Sequence, residues 1–310
     1  MESLTSIECF VASAEAGSFS AAARRLGLTS AAVGKNVARL ESSLGVRLFQ
    51  RSTRSLRLTE AGERFLQEVS GGLSSIQSAV ANLASAGGQP AGVLKVSMGT
   101  GFGREYIVPL LGGFLERYPA ISPDWHFDNR PVDLITEGFD AAIGGGIELP
   151  PGIVARELAP AHRVLLASPA YLAQRSPIRT PDDLERHDGI LIRSPQTGRI
   201  RAWTLRNRDG AQSLINLKVK MTMSDPNAAC EIAQMGLGIT LTAMPHAVVY
   251  LKSGALVRVL PDWHVDGGML ALYFAAARLL PAKTRVFVDY VVEHFRREEL
   301  ARRFSAIDMP

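Results

Sequence analysis

The sequence predicts an α/β protein that begins with a separate all-α unit. Three observations carry this expectation. Up to residue 44 the apolar residues recur at helical spacing, interrupted by Gly27 and by Ser and Thr capping positions. Between Leu66 and Leu83 they recur every three or four residues without a break. Beyond residue 92, short apolar runs alternate with helical patterns, which specifies a mainly parallel sheet with helices on its faces.

Thr5–Ala14 reads as a first helix with Ile7, Phe10 and Val11 as its buried stripe. Ser18 is placed to cap a second helix, whose Phe19, Ala22, Ala23 and Leu26 share one face. Gly27 stops it, because glycine takes the left-handed conformation a helix end needs. Thr29 caps a third helix with Val33, Val37, Leu40 and Leu44 on its apolar side. The opposite side carries Ala31, Lys35, Ala38, Arg39 and Ser42, which are small or basic. Such a shallow, positive face suits the major groove of DNA. Between Arg24 and Arg57 stand eight basic residues and one acid, Glu41. That clustering is the footprint of a phosphate-binding surface. Val46–Phe49 and Ser55–Leu58 read as short strands flanking Arg51-Ser52-Thr53-Arg54, a wing that offers Arg51, Arg54 and Arg57 to phosphates or a minor groove. The periodicity taken alone also fits an ordinary helical hairpin with a solvated basic face.

Phe19-Ser20-Ala21-Ala22-Ala23, Leu28-Thr29, Ala32-Val33, Leu40-Glu41, Leu44-Gly45-Val46-Arg47-Leu48-Phe49 and Leu58-Thr59-Glu60-Ala61-Gly62 together resemble the winged helix-turn-helix of LysR-type transcriptional regulators. The similarity runs from Met1 through the whole chain. Departures lie on the third helix, where Gly34 replaces the family's usual Ser and Ser30-Ala31 replace pairs such as Gln-Pro or Pro-Ser. The expected DNA contacts are Ser30, Ala31, Gly34, Lys35, Arg39, Arg51, Thr53, Arg54 and Arg57.

From Thr59 a long helix carries Leu66, Val69, Leu73, Ile76, Val80 and Leu83 as a heptad seam about 26 Å long. A seam so narrow reads as a dimerisation surface, with a helix lying on its own domain as the alternative; the resemblance implies dimers that pair into a tetramer. Ser85–Gly92 is a hinge by composition. The expected organisation is a winged helix-turn-helix over 1–60, a linker and dimerisation helix over 61–86, a hinge over 87–92 and a regulatory domain over 93–305. Strands are expected at Val93–Met98, Ile121–Phe127, Asp140–Gly144, Arg163–Ala167, Ile190–Ile192, Leu217–Met223, Ile239–Thr242 and Met269–Ala275. Helices are expected at Glu105–Tyr118, Val132–Glu137, Pro181–His187, Asn227–Met235, Pro245–Leu251 and Ala282–Phe295. The resemblance implies two subdomains around a cleft, as in periplasmic binding proteins. The first spans about 93–162 and 267–305, the second about 163–266.

Met98-Gly99-Thr100-Gly101-Phe102-Gly103-Arg104 links a strand to a helix, where free backbone amides can hold a carboxylate or phosphate. A tight strand-to-helix turn explains it equally well, and Arg104 stands where a dinucleotide fingerprint needs its third glycine. By resemblance the loop is a wall of an effector pocket led by Thr100, with Gly101 and Phe102. Loops bearing Asn129, Gly145 and Ser224, Asp225 and Asn227 leave strand ends on the same side. Arg193, Ser194 and Trp203 border the cleft from the second subdomain. Ser224 and Asp225 serve equally as caps for the next helix, and Trp203 as a core residue.

Net charge is +4, so basicity is local. Cys9 and Cys230 are the two cysteines, far apart, which argues against a disulfide frame or zinc site. The first ten residues lack a signal-peptide pattern and no apolar run reaches membrane-spanning length, so a cytoplasmic protein with no membrane partner is expected. The six histidines are scattered, without HExxH, GxSxG or a Walker loop. The expectation is a non-enzymatic regulator without cofactor or metal. Its partners are double-stranded DNA, a small effector of polar or anionic character and its own copies; RNA polymerase stands as a further candidate partner. The competing class is a solute-binding protein or binding enzyme with an accessory helical segment, against which the basic cluster counts.

Overall fold

The computed structural model describes residues 4–51, 56–84, 89–146, 150–194, 197–276 and 280–307, with residues 51, 70, 71, 74, 75 and 77–84 as backbone only. Among the described residues no helix is long and apolar enough to cross a membrane. The chain forms an N-terminal helical unit and an α/β unit made of Gln89–Val132 with Asp140 onward.

In the first unit α1 (Leu4–Ala16), α2 (Phe19–Leu26) and α3 (Ser30–Leu44) precede a ribbon of β1 (Phe49–Arg51) and β2 (Leu56–Leu58), then α4 (Glu60–Ala84). Local chemistry sets the breaks. Ser18 accepts the N–H groups of Ser20 and Ala21, Thr29 accepts that of Ala32, and Gly27 and Gly45 end their helices at φ 65° and 69°. Phe10, Val33, Val37, Leu40 and Phe49 form the core, with the Phe10 ring 5.3 Å from those of Phe49 and Phe65. Leu44 departs from the expected stripe and is exposed, because the last turn of α3 runs past this core. The wing's first strand begins at Phe49 rather than Val46. Gly45 and Val46 are still engaged in closing α3, their N–H groups donating to the Glu41 carbonyl.

The seam of α4 divides. Leu73 is buried against the unit's own core together with half-buried Phe65, Leu66 and Val69, whereas Ile76 is exposed. The side chains of Val80 and Leu83, and residues 85–88 of the expected hinge, lie outside the described residues. The first part of the seam is thus a domain-packing face.

In chain order the second unit contains β3 (Gly92–Met98), α5 (Thr100–Phe102), α6 (Leu111–Arg117), β4 (Ile121–Phe127), β5 (Ala141–Gly145), β6 (Ile153–Pro160), β7 (Arg163–Ala167), α7 (Pro169–Ala173), β8 (Asp188–Ile192), β9 (Thr204–Asn207) and β10 (Gln212–Leu214). There follow β11 (Lys218–Met223), α8 (Pro226–Gln234), β12 (Ile239–Ala243), α9 (Met244–Ser253), β13 (Val257–Val259), β14 (Trp263–His264), β15 (Met269–Ala275), α10 (Ala282–Arg297) and α11 (Leu300–Arg303). Two five-stranded sheets, ordered β4-β3-β5-β15-β6 and β11-β8-β12-β7-β13, make two subdomains, beside a small β10-β9-β14 sheet. The return of β15 to the first sheet is the topology the resemblance implied.

Three expectations need correction. The sheets are mixed rather than mainly parallel: β15 runs antiparallel to β5 and β6, and β7 antiparallel to β12 and β13. These reversed pairings involve the strands by which the chain leaves the first sheet, enters the second and comes back. The helix expected from Glu105 starts at Thr100 and continues through a π turn (Gly103–Ile107) and a 3-10 turn (Val108–Leu110) into α6. Pro109 lacks the N–H of a regular helix, so the hydrogen bonding must shift register there. Val132–Glu137 is turns rather than a helix, since the Asp133 carboxylate takes the N–H groups of Ile135 and Thr136. Edge strand β6 was not expected from sequence. Its Arg and Glu interrupt the apolar pattern, as edge strands commonly do.

Candidate functional site

The outer face of α3 presents Ser30, Ala31, Lys35, Ala38, Arg39 and Ser42, all exposed. A Cβ built on Gly34 would meet nothing, so no neighbour in the fold demands glycine there. Glu41, the single acid of the basic stretch, points its carboxylate at the Leu48 and Phe49 N–H groups, 2.9 and 3.1 Å away. It secures the start of the wing. Arg25 pairs with Glu15 at 2.5 Å. Among the described residues none of Lys35, Arg39, Arg47 and Arg57 meets a carboxylate. In the wing, Gln50 pairs with Arg57 in register, and Arg57 is exposed. The Arg51 side chain, Thr53 and Arg54 lie outside the described residues. This unit can offer free cations and small side chains to a polyanion groove.

A cavity of about 610 Å³ opens between the two subdomains of the second unit. Its position follows from register. Met98 aligns with Phe127 and with Ile143, and Ile192 aligns with Met223, so the loops after these parallel strands leave at matching heights. Of the expected contacts, Phe102, Asn129, Gly145, Arg193, Ser194, Trp203 and Ser224 line the cavity.

Thr100, Gly101, Asp225 and Asn227 stand in a clasp beside it. The Thr100 N–H donates to Asn129 Oδ1 at 3.1 Å, and Asn129 Nδ2 donates to Asp225 Oδ2 at 3.3 Å. Asp225 Oδ1 also accepts the Ala228 N–H at 2.8 Å and caps α8, so the capping role is real. The glycines of the loop have a steric reason. A Cβ on Gly101 would stand 2.4 Å from the Asn227 amide, and one on Gly103 would stand 2.6 Å from both Met98 and Phe127. The motif therefore lets the second subdomain approach the first closely. Tyr106 adds a further tie, its hydroxyl donating to the Pro245 carbonyl at 2.8 Å.

Sequence reasoning missed Arg163, Arg201 and His246, all of which line the cavity. Trp203 is half-buried and packs on the second subdomain's core. The guanidinium carbons of Arg163 and Arg201 lie 4.7 and 4.3 Å from the centre of its ring. His246 is pushed down to about 4, first by burial and then by the Arg163 charge, so near neutrality it is an uncharged hydrogen-bonding group. Arg163 was detectable in principle. It opens the run Val164-Leu165-Leu166-Ala167, expected to be buried, and arginine is seldom placed there without a partner. Cys9 and Cys230 are buried thiols whose pKa is raised chiefly by burial, that of Cys230 to about 12.

A helix-turn-helix with a β ribbon, carried by the same chain as a cleft between two α/β halves, defines a ligand-responsive DNA-binding regulator. The chain belongs to the LysR family of transcriptional regulators. Residues 4–63 match the family model described as bacterial regulatory helix-turn-helix protein, lysR family, and residues 87–296 match the LysR substrate binding domain. The chain is 33% identical over 294 residues to the probable HTH-type transcriptional regulator LtrA of Klebsiella pneumoniae, covering 94% of each chain. It is 31% identical over 297 residues to the HTH-type transcriptional regulator DmlR of Escherichia coli K12, again covering 94% of each. Among solved structures, the full-length Vibrio cholerae virulence activator AphB superposes with a TM-score of 0.61 at 26% identity, over 94% of this chain and 99% of that one. CrgA of Neisseria meningitidis gives 0.58 at 26% identity, over 94% and 98%. The protein is a transcription regulator and not an enzyme, with a DNA-binding unit and an effector-binding unit.

Proposed function

We propose that Ser30, Ala31, Gly34, Lys35 and Arg39 of α3 read the major groove while Arg51, Thr53, Arg54 and Arg57 of the wing hold phosphates. The observation that supports this is the acid-free exposed face of α3, with Glu41 turned inward onto the wing. An effector in the cleft meets Phe102, Asn129, Gly145, Arg193, Ser194, Trp203 and Ser224, and tightens or loosens the clasp of Thr100, Gly101, Asp225 and Asn227. Only a ligand with different affinity for the two closures shifts the equilibrium between them. The functional boundaries are those of a DNA-binding segment over 1–60, a dimerisation helix over 61–86 and a hinge over 87–92. The protein works in the cytoplasm and contacts RNA polymerase when bound at a promoter.

The test compares Lys35→Ala and Arg57→Ala in the full chain. Arg57→Ala is expected to weaken all duplexes alike and to reduce the salt slope by about one. Lys35→Ala is expected to change the preferred bases. Equal loss on all sequences for Lys35→Ala would reduce that residue to a phosphate contact.

The working assembly is a tetramer built from dimers joined through α4 beyond Leu73, where Ile76 is exposed. Ile76→Asp is the discriminating variant, because Ile76 is 46% exposed whereas Leu73 belongs to the folded core. Sedimentation of Ile76→Asp is expected to show loss of dimers with the helical unit still folded. Unchanged mass would remove this half of the seam from the interface.

A further inference from the structure

The charge pattern in the cleft says what kind of molecule it accommodates. Arg163 lines the cavity from the start of β7, and its Nε is sealed from solvent without a hydrogen-bond partner. Its pKa is lowered first by burial and then by the neighbouring Arg201 charge. Two cations therefore share the Trp203 ring and repel each other. Among the described residues no carboxylate pairs with either of them. The acid that lines the cavity, Asp128, is already bound to Arg130 at 3.0 Å. A cation kept partly desolvated without a counter-charge costs stability, and groups perturbed by burial and a neighbouring charge concentrate at binding sites.

The opposite wall offers an anion little. The Thr100 N–H is occupied by Asn129, and the Asp225 carboxylate stands behind it. An anion seat thus belongs at Arg163 and Arg201 rather than at the glycine-rich loop. A guanidinium fork matches a carboxylate with two parallel hydrogen bonds. The remaining surface is mostly aliphatic, with Ile190, Leu217, Leu241 and Ala161 among its lining. A space of about 610 Å³ is far too large for an inorganic anion and falls in the range of organic ligands.

We propose that the cleft binds a small organic acid, with its carboxylate on Arg163 and Arg201 and its apolar body against Ile190, Leu217 and Leu241. This rests on the cleft being the effector site. Trp203 acts as the platform that holds the two guanidinium groups, so its ring face is committed to them and not to stacking on the ligand. His246, uncharged at neutral pH, adds a hydrogen bond and no competing charge.

The experiment uses the full-length protein with benzoate, phthalate and hexanoate, each against its primary amide, followed by thermal stabilisation and calorimetry. At least one acid is expected to bind, with its amide at least tenfold weaker. Arg163→Met is expected to weaken the acid roughly ten- to hundredfold while leaving the amide's affinity unchanged. Arg201→Met, at an exposed position, is the second variant and should act in the same direction should Arg163→Met fail to fold. Amides that bind as tightly as acids, none of the three acids binding, or acid affinity retained in both variants would each overturn the proposal. DNA footprinting separates this from the effector reading. An acid that binds through Arg163 without altering the footprint upholds the anion seat and refutes the effector role. A neutral compound that binds the cleft and alters the footprint upholds the effector role and refutes the anion seat.

Discussion

Gly62→Ala is expected to destabilise the DNA-binding unit by about 3 kcal/mol, at the upper end of what overpacking costs. The first turn of α4 lies directly on the ribbon. Thr59 accepts the Gly62 N–H at 3.0 Å and donates its own hydroxyl to the Arg47 carbonyl at 2.7 Å, while its N–H donates to the Leu48 carbonyl at 2.9 Å. A Cβ on Gly62 would stand 2.1 Å from that same Leu48 oxygen, and 3.0 Å from the Leu48 carbon and from Leu58 Cδ2. Because the obstacle is backbone, no rotamer change relieves it. Either the helix lifts off the ribbon, losing the Thr59 bonds, or β1 and β2 move away from the Phe10–Phe49 contact. The propensity gain of alanine in a helix, about 1 kcal/mol, offsets only part of this. Denaturant titration of the full chain should show an early transition for the helical unit, with duplex binding lost together with it. A transition at the wild-type position would mean that the ribbon and α4 separate at little cost.

The second large effect concerns Lys283, a lysine only 4% exposed near the start of α10. Its ammonium lies 2.8 Å from Asp140 Oδ2 and also donates to the Val93 carbonyl. Asp140 in turn accepts the Lys95 N–H at 2.9 Å. The group binds α10 to the edge where β3 and the strand after Asp140 begin. Lys283→Met keeps the length of the side chain and leaves the Asp140 charge buried without its partner, so a loss of about 3–5 kcal/mol is expected. Adding Asp140→Asn removes that stranded charge, and the double variant should recover part of the loss. Calorimetry of the α/β unit's transition in the intact protein checks both. A single variant within 1 kcal/mol of wild type would show the pair to be dispensable.

Local features of the fold were the legible ones. Ser18, Gly27 and Thr29 act within a few residues of where they stand, so their capping roles can be read from the chain alone. The alternation of strands and helices after residue 92 was legible for the same reason. Strand direction in the sheets was not. Whether β15 runs with or against β5 depends on where the chain re-enters, and no local pattern records it. The seam of α4 shows a different limit. Leu66, Val69 and Leu73 have the spacing of a dimer interface, yet they also have the spacing needed to cover Phe65 and the core beneath.

The site behaved likewise. The loops that follow parallel strands could be placed together by the rule for open sheets, and seven of the eleven expected residues line the cleft. What escaped was the chemistry of Arg163 and Arg201. Among the described residues neither meets a carboxylate in three dimensions, and sequence distance says nothing of that. The glycine-rich loop, conspicuous in sequence, also has a steric reason in the fold, the approach of Asn227 and Asn129.

The most direct test of the central claim is selection of the full-length protein against a pool of randomised duplex DNA, with wild type and Lys35→Ala run side by side. The account predicts that wild type enriches one interrupted, roughly palindromic site, its half-sites separated by whole helical turns because paired copies each present one α3. It further predicts that Lys35→Ala changes the bases at fixed positions within each half-site. Enrichment of no sequence, or the same site at the same strength from both proteins, would contradict the assignment of α3 as the element that reads DNA.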